Sequence, residues 1–215
     1  MMNTAHFLDF TFNTENNAFF PRPETEILVE KAIECLLKKK GLEYPYNILD
    51  IGTGCGNIAI SLTKYLSSSK IVASDISDEA LRVASGNAGV YGASECIDFI
   101  KSDLFRNLSS AYRLYFDLVV SNPPYVSLAD FSTLPEEVHS DPYRALYGGK
   151  DGLKFYREII KYAPMFLKEK GLLMMEAGYD QAARIKEMLV NAGFVNIVIY
   201  KDYSGIDRIV KAENG

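Results

Sequence analysis

The chain is 215 residues long, 48% hydrophobic and 24% charged, which suits one α/β domain with a real core and excludes an intrinsically disordered chain. A net charge of -5 and a pI near 5.2 count against a broad nucleic-acid footprint, which shows as a basic domain or stripe, so no direct nucleic-acid binding is expected. Cys35, Cys55 and Cys96 stand far apart and outside any CxxC pair, and His6 and His139 cluster with nothing, so neither a disulfide frame nor a metal site is expected.

The N-terminal MMNTAHFLDF lacks the charged start and apolar run of a signal peptide. No stretch approaches the ~20 apolar residues of a membrane helix. A soluble, cytoplasmic protein without membrane contact is the expectation. Residues 6–20 alternate and carry a polar turn, TENN, which predicts a short β-hairpin. PRPETE then opens a helix, because proline fits the first turn and acids suit the N-terminus. Leu28, Ala32, Ile33, Leu36 and Leu37 share one face of it, Lys38, Lys39 and Lys40 form its solvated end, and Gly41 stops it.

Strands and helices alternate from there. NILDI reads as a buried strand, NIAISLTKYL as a helix and KIVASD as a second strand. SDEALRVASGNAG is a helix capped by Ser77, weakened by Gly86 and Gly89 at roughly 1 kcal/mol each. CIDFIK and FDLVVSN are the third and fourth strands, the latter continuing through Asn122 because a residue before proline is extended. Residues 126–150 form a long polar and aromatic connection. A helix near 151–168 is split by Pro164. GLLMMEAG is the fifth strand, and DQAARIKEMLVNAG a helix capped by Asp180 and stopped by Gly193. VNIVIYKD and IDRIVKA close the fold as a hairpin. Alternation of this kind predicts a doubly wound, mostly parallel α/β sheet with helices on both faces. Ligands bind beyond the carboxyl ends of such strands.

Four strand ends there carry chemistry. The first strand runs into Gly52-Thr53-Gly54-Cys55-Gly56. The loop lacks the Gly-Lys-Ser/Thr of a phosphate loop, and Asn57 stands where a dinucleotide fingerprint needs its third glycine, which counts against an NAD oxidoreductase. The second strand ends in Asp75, 19 residues past Gly56, placed to accept hydrogen bonds from ribose hydroxyls. The third ends in KSDLF, where Asp103 can accept from an adenine amine and Leu104 can cover the ring. Nothing suits a pyrophosphate. An adenosine ligand without phosphates fits better, and S-adenosylmethionine is one.

The fourth strand ends in Asn122-Pro123-Pro124-Tyr125. The prolines have no N–H and a fixed φ, so their carbonyls project as acceptors. Asn122 adds another acceptor, and Tyr125 an aromatic wall. This donor-poor cradle suits an –NH2 group whose delocalised lone pair makes it a poor nucleophile. Acceptors on both N–H bonds aim the nitrogen and stabilise its developing positive charge. An aromatic face near a sulfonium adds cation–π attraction.

DIGTGCG, Asp75, SDLF and NPPY together resemble class I S-adenosylmethionine-dependent methyltransferases that act on planar –NH2 groups. FFPRPETEILVE, DPYRALYGGKDGLKFYREI, EAGYDQ and KDYSGIDRIV narrow the resemblance to the HemK/PrmC family of release factor glutamine methyltransferases, from about Phe7 to Ala212. The resemblance implies a Rossmann-like, seven-stranded sheet with a closing antiparallel hairpin. It implies methyl transfer to the glutamine amide of a Gly-Gly-Gln loop in a peptide chain release factor.

Gly52, Thr53, Gly54, Cys55 and Gly56 would hold the methionine part of the cofactor, Asp75 the ribose, and Asp103 and Leu104 the adenine. Asn122, Pro123, Pro124 and Tyr125 would grip the amide, and Asn122 also borders the cofactor. Arg22, Glu24 and Glu26 would brace the pocket from below. Residues 1–21 would be hairpin and linker and 22–215 the methyltransferase domain, without the helical domain that bacterial members carry ahead of it, a place a helper subunit would take. Cys55 and the two helix glycines depart from the family pattern. No general base is required, because a methylated amide is acidic enough to lose its proton to water, and His139 reads as a plain loop histidine. Two rival readings are methylation of an exocyclic amine in DNA or RNA, and a catalytically silent cofactor-binding module.

Overall fold

The computed structural model describes residues 4–14, 20–131 and 143–215. A seven-stranded sheet forms its centre, in the order β5-β4-β3-β6-β7-β9-β8. The strands are β3 (Asn47–Ile51), β4 (Lys70–Asp75), β5 (Ile97–Lys101), β6 (Phe116–Ser121), β7 (Leu167–Glu176), β8 (Val195–Lys201) and β9 (Asp207–Glu213). The first five are parallel, and β9 is antiparallel to both β7 and β8. The chain therefore winds outward from β3 through β4 to β5, then returns to lay β6 on the other side of β3. That reversal opens a crevice above the carboxyl ends of β3 and β6.

Both faces of the central strands are apolar and alternate. Ile48, Leu118, Leu172 and Met174 pack under α1 (Pro23–Lys40) and α2 (Asn57–Tyr65). Leu49, Val119, Leu173 and Met175 pack under α6 (Lys154–Tyr162) and α7 (Ala182–Asn191). A parallel sheet buried on both faces requires this pattern. Ser77 caps α3 (Asp78–Val90) by accepting from the Ala80 N–H, as its position predicts.

The N-terminal hairpin differs from expectation. Its strands are β1 (Thr4–Phe7) and β2 (Phe10–Asn13), so it turns at Leu8-Asp9 and not at TENN, of which residues 15–17 lie outside the described residues. This register sets Ala5 opposite Phe12 and Phe7 opposite Phe10, so the apolar side chains share the face that enters the core.

Four smaller corrections concern element ends. β6 stops at Ser121, so Asn122 stands just beyond it. β7 starts at Leu167, four residues before Gly171. α6 ends at Tyr162 and a 3-10 turn, Ala163–Met165, carries Pro164. Gln181 and not Asp180 occupies the N-cap of α7. Residues 128–131 and 143–146 form the short helices α4 and α5 within the long connection, and His139 lies outside the described residues.

Candidate active site

Ile51 of β3 pairs with Ser121 of β6, and the Ser121 hydroxyl donates to the Ile51 carbonyl at 2.8 Å. The glycine loop and the Asn-Pro-Pro-Tyr turn therefore leave the sheet side by side. Between them and the end of β4 lies a cavity of about 760 Å³. That volume is ample for a nucleoside-sized ligand.

Gly52, Gly54 and Gly56 have φ of +73°, +57° and +84°, a region L-residues rarely adopt. The loop is pinned from below, where the Gly52 and Thr53 N–H groups both donate to the Ser74 carbonyl. The Thr53 hydroxyl donates to Asp50 at 2.7 Å. Asp50 is fully buried, and burial pushes its carboxyl up to about 7. Gly52, Thr53, Gly54 and Cys55 line the cavity and Gly56 does not. A Cβ on Gly56 would stand 3.1 Å from both Ala84 Cβ and Ile60 Cδ1, so this glycine lets α2 approach α3. The Cys55 thiol is buried and pushed up to about 12, so it packs and does not react.

Asp75 borders the cavity with both oxygens fixed. One accepts from the Gly54 N–H at 3.0 Å and the other from the Ser77 N–H at 2.9 Å. Each keeps lone pairs for a diol, and burial raises this carboxyl above its ordinary range. Asp103 and Leu104 line the next wall. Asp103 pairs at 2.7 Å with the exposed Arg106, and Leu104 is turned to φ +52°.

Asn122, Pro123, Pro124 and Tyr125 form the opposite wall. The Asn122 Nδ2 donates to Thr25 Oγ1 at 2.9 Å, and Thr25 Oγ1 donates to Glu176 Oε2 at 2.6 Å. Glu176 ends β7, is 1% exposed, and is pushed up to about 7, chiefly by burial. Burial likewise raises the Tyr125 phenol. Arg22, Glu24 and Glu26 do not line the cavity; Pro21 and Thr25 of that segment do. The charges of Arg22 and Glu24 still reach Glu176, and Glu26 instead accepts from the Leu8 N–H at 2.7 Å, holding the hairpin.

The GGKDG stretch explains its own glycines here. Val126 bridges Tyr147, and a Cβ on Gly148 would stand 2.7 Å from the Pro124 carbonyl oxygen. The Gln181 Nε2 donates to the Tyr125 carbonyl at 2.8 Å, so that oxygen is taken by the scaffold. Thr25, Glu176 and Gln181 are site residues that the sequence pattern does not single out. Their signals are an acid and an amide flanking an apolar strand end, where burial is costly unless the group is partnered. Asn87 is another. It donates to the Cys55 carbonyl at 2.8 Å and to the Asn13 carbonyl at 3.0 Å, tying β2 to the glycine loop.

A reversing parallel sheet with a closing hairpin, a glycine loop, a strand-end acid and an acceptor-rich Asn-Pro-Pro-Tyr turn define a class I methyltransferase. The methyltransferase small domain model matches residues 23–137. A release factor glutamine methyltransferase of Fusobacterium nucleatum subsp. nucleatum is 40% identical over 215 residues, covering 97% of this chain and 59% of the relative. One of Chlorobaculum tepidum is 38% identical over 207 residues, covering 95% of this chain and 70% of the relative. The chain belongs to the release factor glutamine methyltransferase family, and it spans about three fifths to three quarters of the length of the curated relatives of that name. Among solved structures, the ribosomal protein L11 methylase of Lactobacillus delbrueckii subsp. bulgaricus shares the fold, with TM-score 0.61, 22% identity, and coverage of 90% of this chain and 79% of that one.

Proposed function

We propose that this chain transfers a methyl group from S-adenosylmethionine to the side-chain amide nitrogen of the glutamine in the Gly-Gly-Gln loop of a peptide chain release factor. The single observation that carries this reading is the facing pair of walls. One has an acid and a glycine loop suited to a phosphate-free adenosine, and the other has acceptors suited to an –NH2 group. When bound, S-adenosylmethionine supplies an electrophilic methyl on a sulfonium.

The chain's residues do the rest. Asp75 accepts from the ribose hydroxyls while the Gly54 and Ser77 N–H groups hold it in place. Asp103 and Leu104 border the adenine. The Asn122 side-chain oxygen and the Pro123 carbonyl accept the two N–H bonds of the amide, aim its nitrogen and stabilise the charge that grows there. Tyr125 closes the side and excludes water. No side chain is needed as base, since the nitrogen is cationic once it carries the methyl and in that form is acidic enough to give its proton to water.

On this reading residues 22–215 are the transferase domain and 1–21 a hairpin and linker. The release factor is the partner, with docking shared by whatever helper or further domain accompanies this one. The setting is the cytoplasm. No helix among the described residues is long and apolar enough to cross a membrane, and no group of three metal-ligating side chains is found among them.

The test supplies labelled S-adenosylmethionine with a release factor and with its Gln→Glu variant. Label on the first alone supports the reading. Equal label on both, or label only on nucleic acid, overturns it.

A further inference from the structure

Thr25 has one hydroxyl proton, and a carboxylate has only acceptors. With Thr25 Oγ1 at 2.6 Å from Glu176 Oε2, the proton lies in that bond. A neutral Glu176 could instead donate its own O–H to Thr25 and free the Thr25 proton, so the arrangement belongs to ionised Glu176. With Glu176 ionised, the side of Thr25 Oγ1 that faces Asn122 offers a lone pair and nothing else. The Asn122 atom at 2.9 Å from it must be a donor, so it is Nδ2. The amide is planar, and with its nitrogen turned to Thr25 its oxygen turns away, to the cavity that Asn122 lines.

We propose that Thr25 and Glu176 are positioning residues that lock the Asn122 amide with its oxygen toward the acceptor, so that the site takes a group bearing N–H bonds and rejects its carboxylate counterpart. The inference rests on the function proposed above and deepens it. Without the lock, the amide can turn over and present –NH2, which welcomes a carboxylate and repels an amide –NH2. The lock is built from three elements: the first turn of α1, the end of β7 and the residue after β6. A site with fixed, buried polar groups discriminates steeply, because the wrong partner leaves them unpaired.

Two substitutions break the lock at different places. Thr25→Val removes both bonds with nearly the same shape. Glu176→Met keeps Thr25 but frees its proton, which can then donate to the Asn122 oxygen and favour the reversed amide. Thr25→Ser keeps the hydroxyl and serves as the rescue. The measurements are S-adenosylhomocysteine affinity, kcat and KM with the release factor, inhibition by its Gln→Glu variant, and the Asn122 side-chain NH2 resonance of the ligand-free protein.

Thr25→Val and Glu176→Met are each expected to lower kcat by ~10²-fold, as small misplacements of reacting groups do. Cofactor-product affinity should stay within about twofold of wild type, the Gln→Glu variant should inhibit more strongly, and Thr25→Ser should restore most of kcat. Hydrogen exchange of the Asn122 NH2 should quicken in the first two variants. An unchanged kcat in a folded Thr25→Val, or an unchanged Asn122 resonance, overturns the proposal. A wild-type protein inactive on the release factor condemns the functional reading alone, because the resonance still reports the lock.

Discussion

The Tyr125 carbonyl oxygen lies 2.4 Å from the point where a Cβ on Gly152 would stand. The Gln181 Nε2, which holds that carbonyl, is equally close to the same point. Gly152 also has φ +72°. Gly152→Ala must therefore displace the Asn-Pro-Pro-Tyr turn. It is expected to cost about 1–3 kcal/mol by overpacking and to lower kcat more than cofactor affinity. Gly41→Ala is the control, with φ +76° but open space around it. Denaturant midpoints and kcat for the two variants check this, and equal behaviour would refute the clash.

Asp75 accepts from two backbone N–H groups and still faces the cavity. On the proposed reading Asp75→Ala removes a charged acceptor from the ribose, and it also releases the Gly54 and Ser77 N–H groups. Hydrogen bonds to charged groups contribute about 1.5–3 kcal/mol, so S-adenosylmethionine affinity should fall roughly 10- to 100-fold. Calorimetric titration measures it.

Asn122→Ala leaves the glycine loop and Asp75 untouched. The expected loss is on the order of 10²–10³ in kcat with cofactor binding preserved. A folded variant with near-normal turnover would show that the cradle acts without Asn122.

Gly86 and Gly89 lie inside α3, and a Cβ at either position would meet nothing within 4 Å. The structure gives no reason for them. Each change to alanine should stabilise by ~0.8–1 kcal/mol, the helix-propensity difference. At this chain length that amounts to roughly 2–4 °C in Tm per variant, read by thermal unfolding.

Stability should also fall as pH rises through the neutral range. Burial pushes Asp50 and Glu176 each up to about 7 in the fold, whereas unfolded carboxyls titrate near about 4. Between those values the native state holds protons that the unfolded chain has released. Their contribution is therefore full below about pH 4 and is lost toward pH 7. Glu34, half-buried and lowered to about 2 by Lys31 and Lys38, acts in the opposite sense but below that window. Asp50→Asn keeps an acceptor for Thr53 and should flatten the slope. Urea midpoints from pH 5 to 8 test this, and an unchanged slope would count against it.

The parallel sheet, both faces of its core and the four strand-end segments are legible in the sequence because each rests on local pattern. NILDI, KIVASD and FDLVV are apolar runs closed by punctuation, and Ser77 caps a helix by position alone. What stays hidden depends on long-range partners. Thr25 and Glu176 are 151 positions apart, and their bond is invisible until α1 lies beside β7. Gln181 looks like a surface residue behind an Asp180 cap, yet its side chain turns inward to Tyr125. The place of the hairpin turn is obscured for a related reason. TENN has turn composition, but burial of Phe7 and Phe12 on one face decides the register, and that needs the core they enter.

Because Ile51 and Ser121 are partners on neighbouring strands, the last shared rung of the ladder sets the gap between the two grips. That rung is about 4.8 Å wide and is made of main chain alone. Side-chain replacements can re-aim either wall of the cavity but cannot move the walls apart. Only a slip of one strand past the other could, and it would swing every core side chain of that strand to the opposite face of the sheet. The width of the cavity is thus guarded by the stability of the whole sheet.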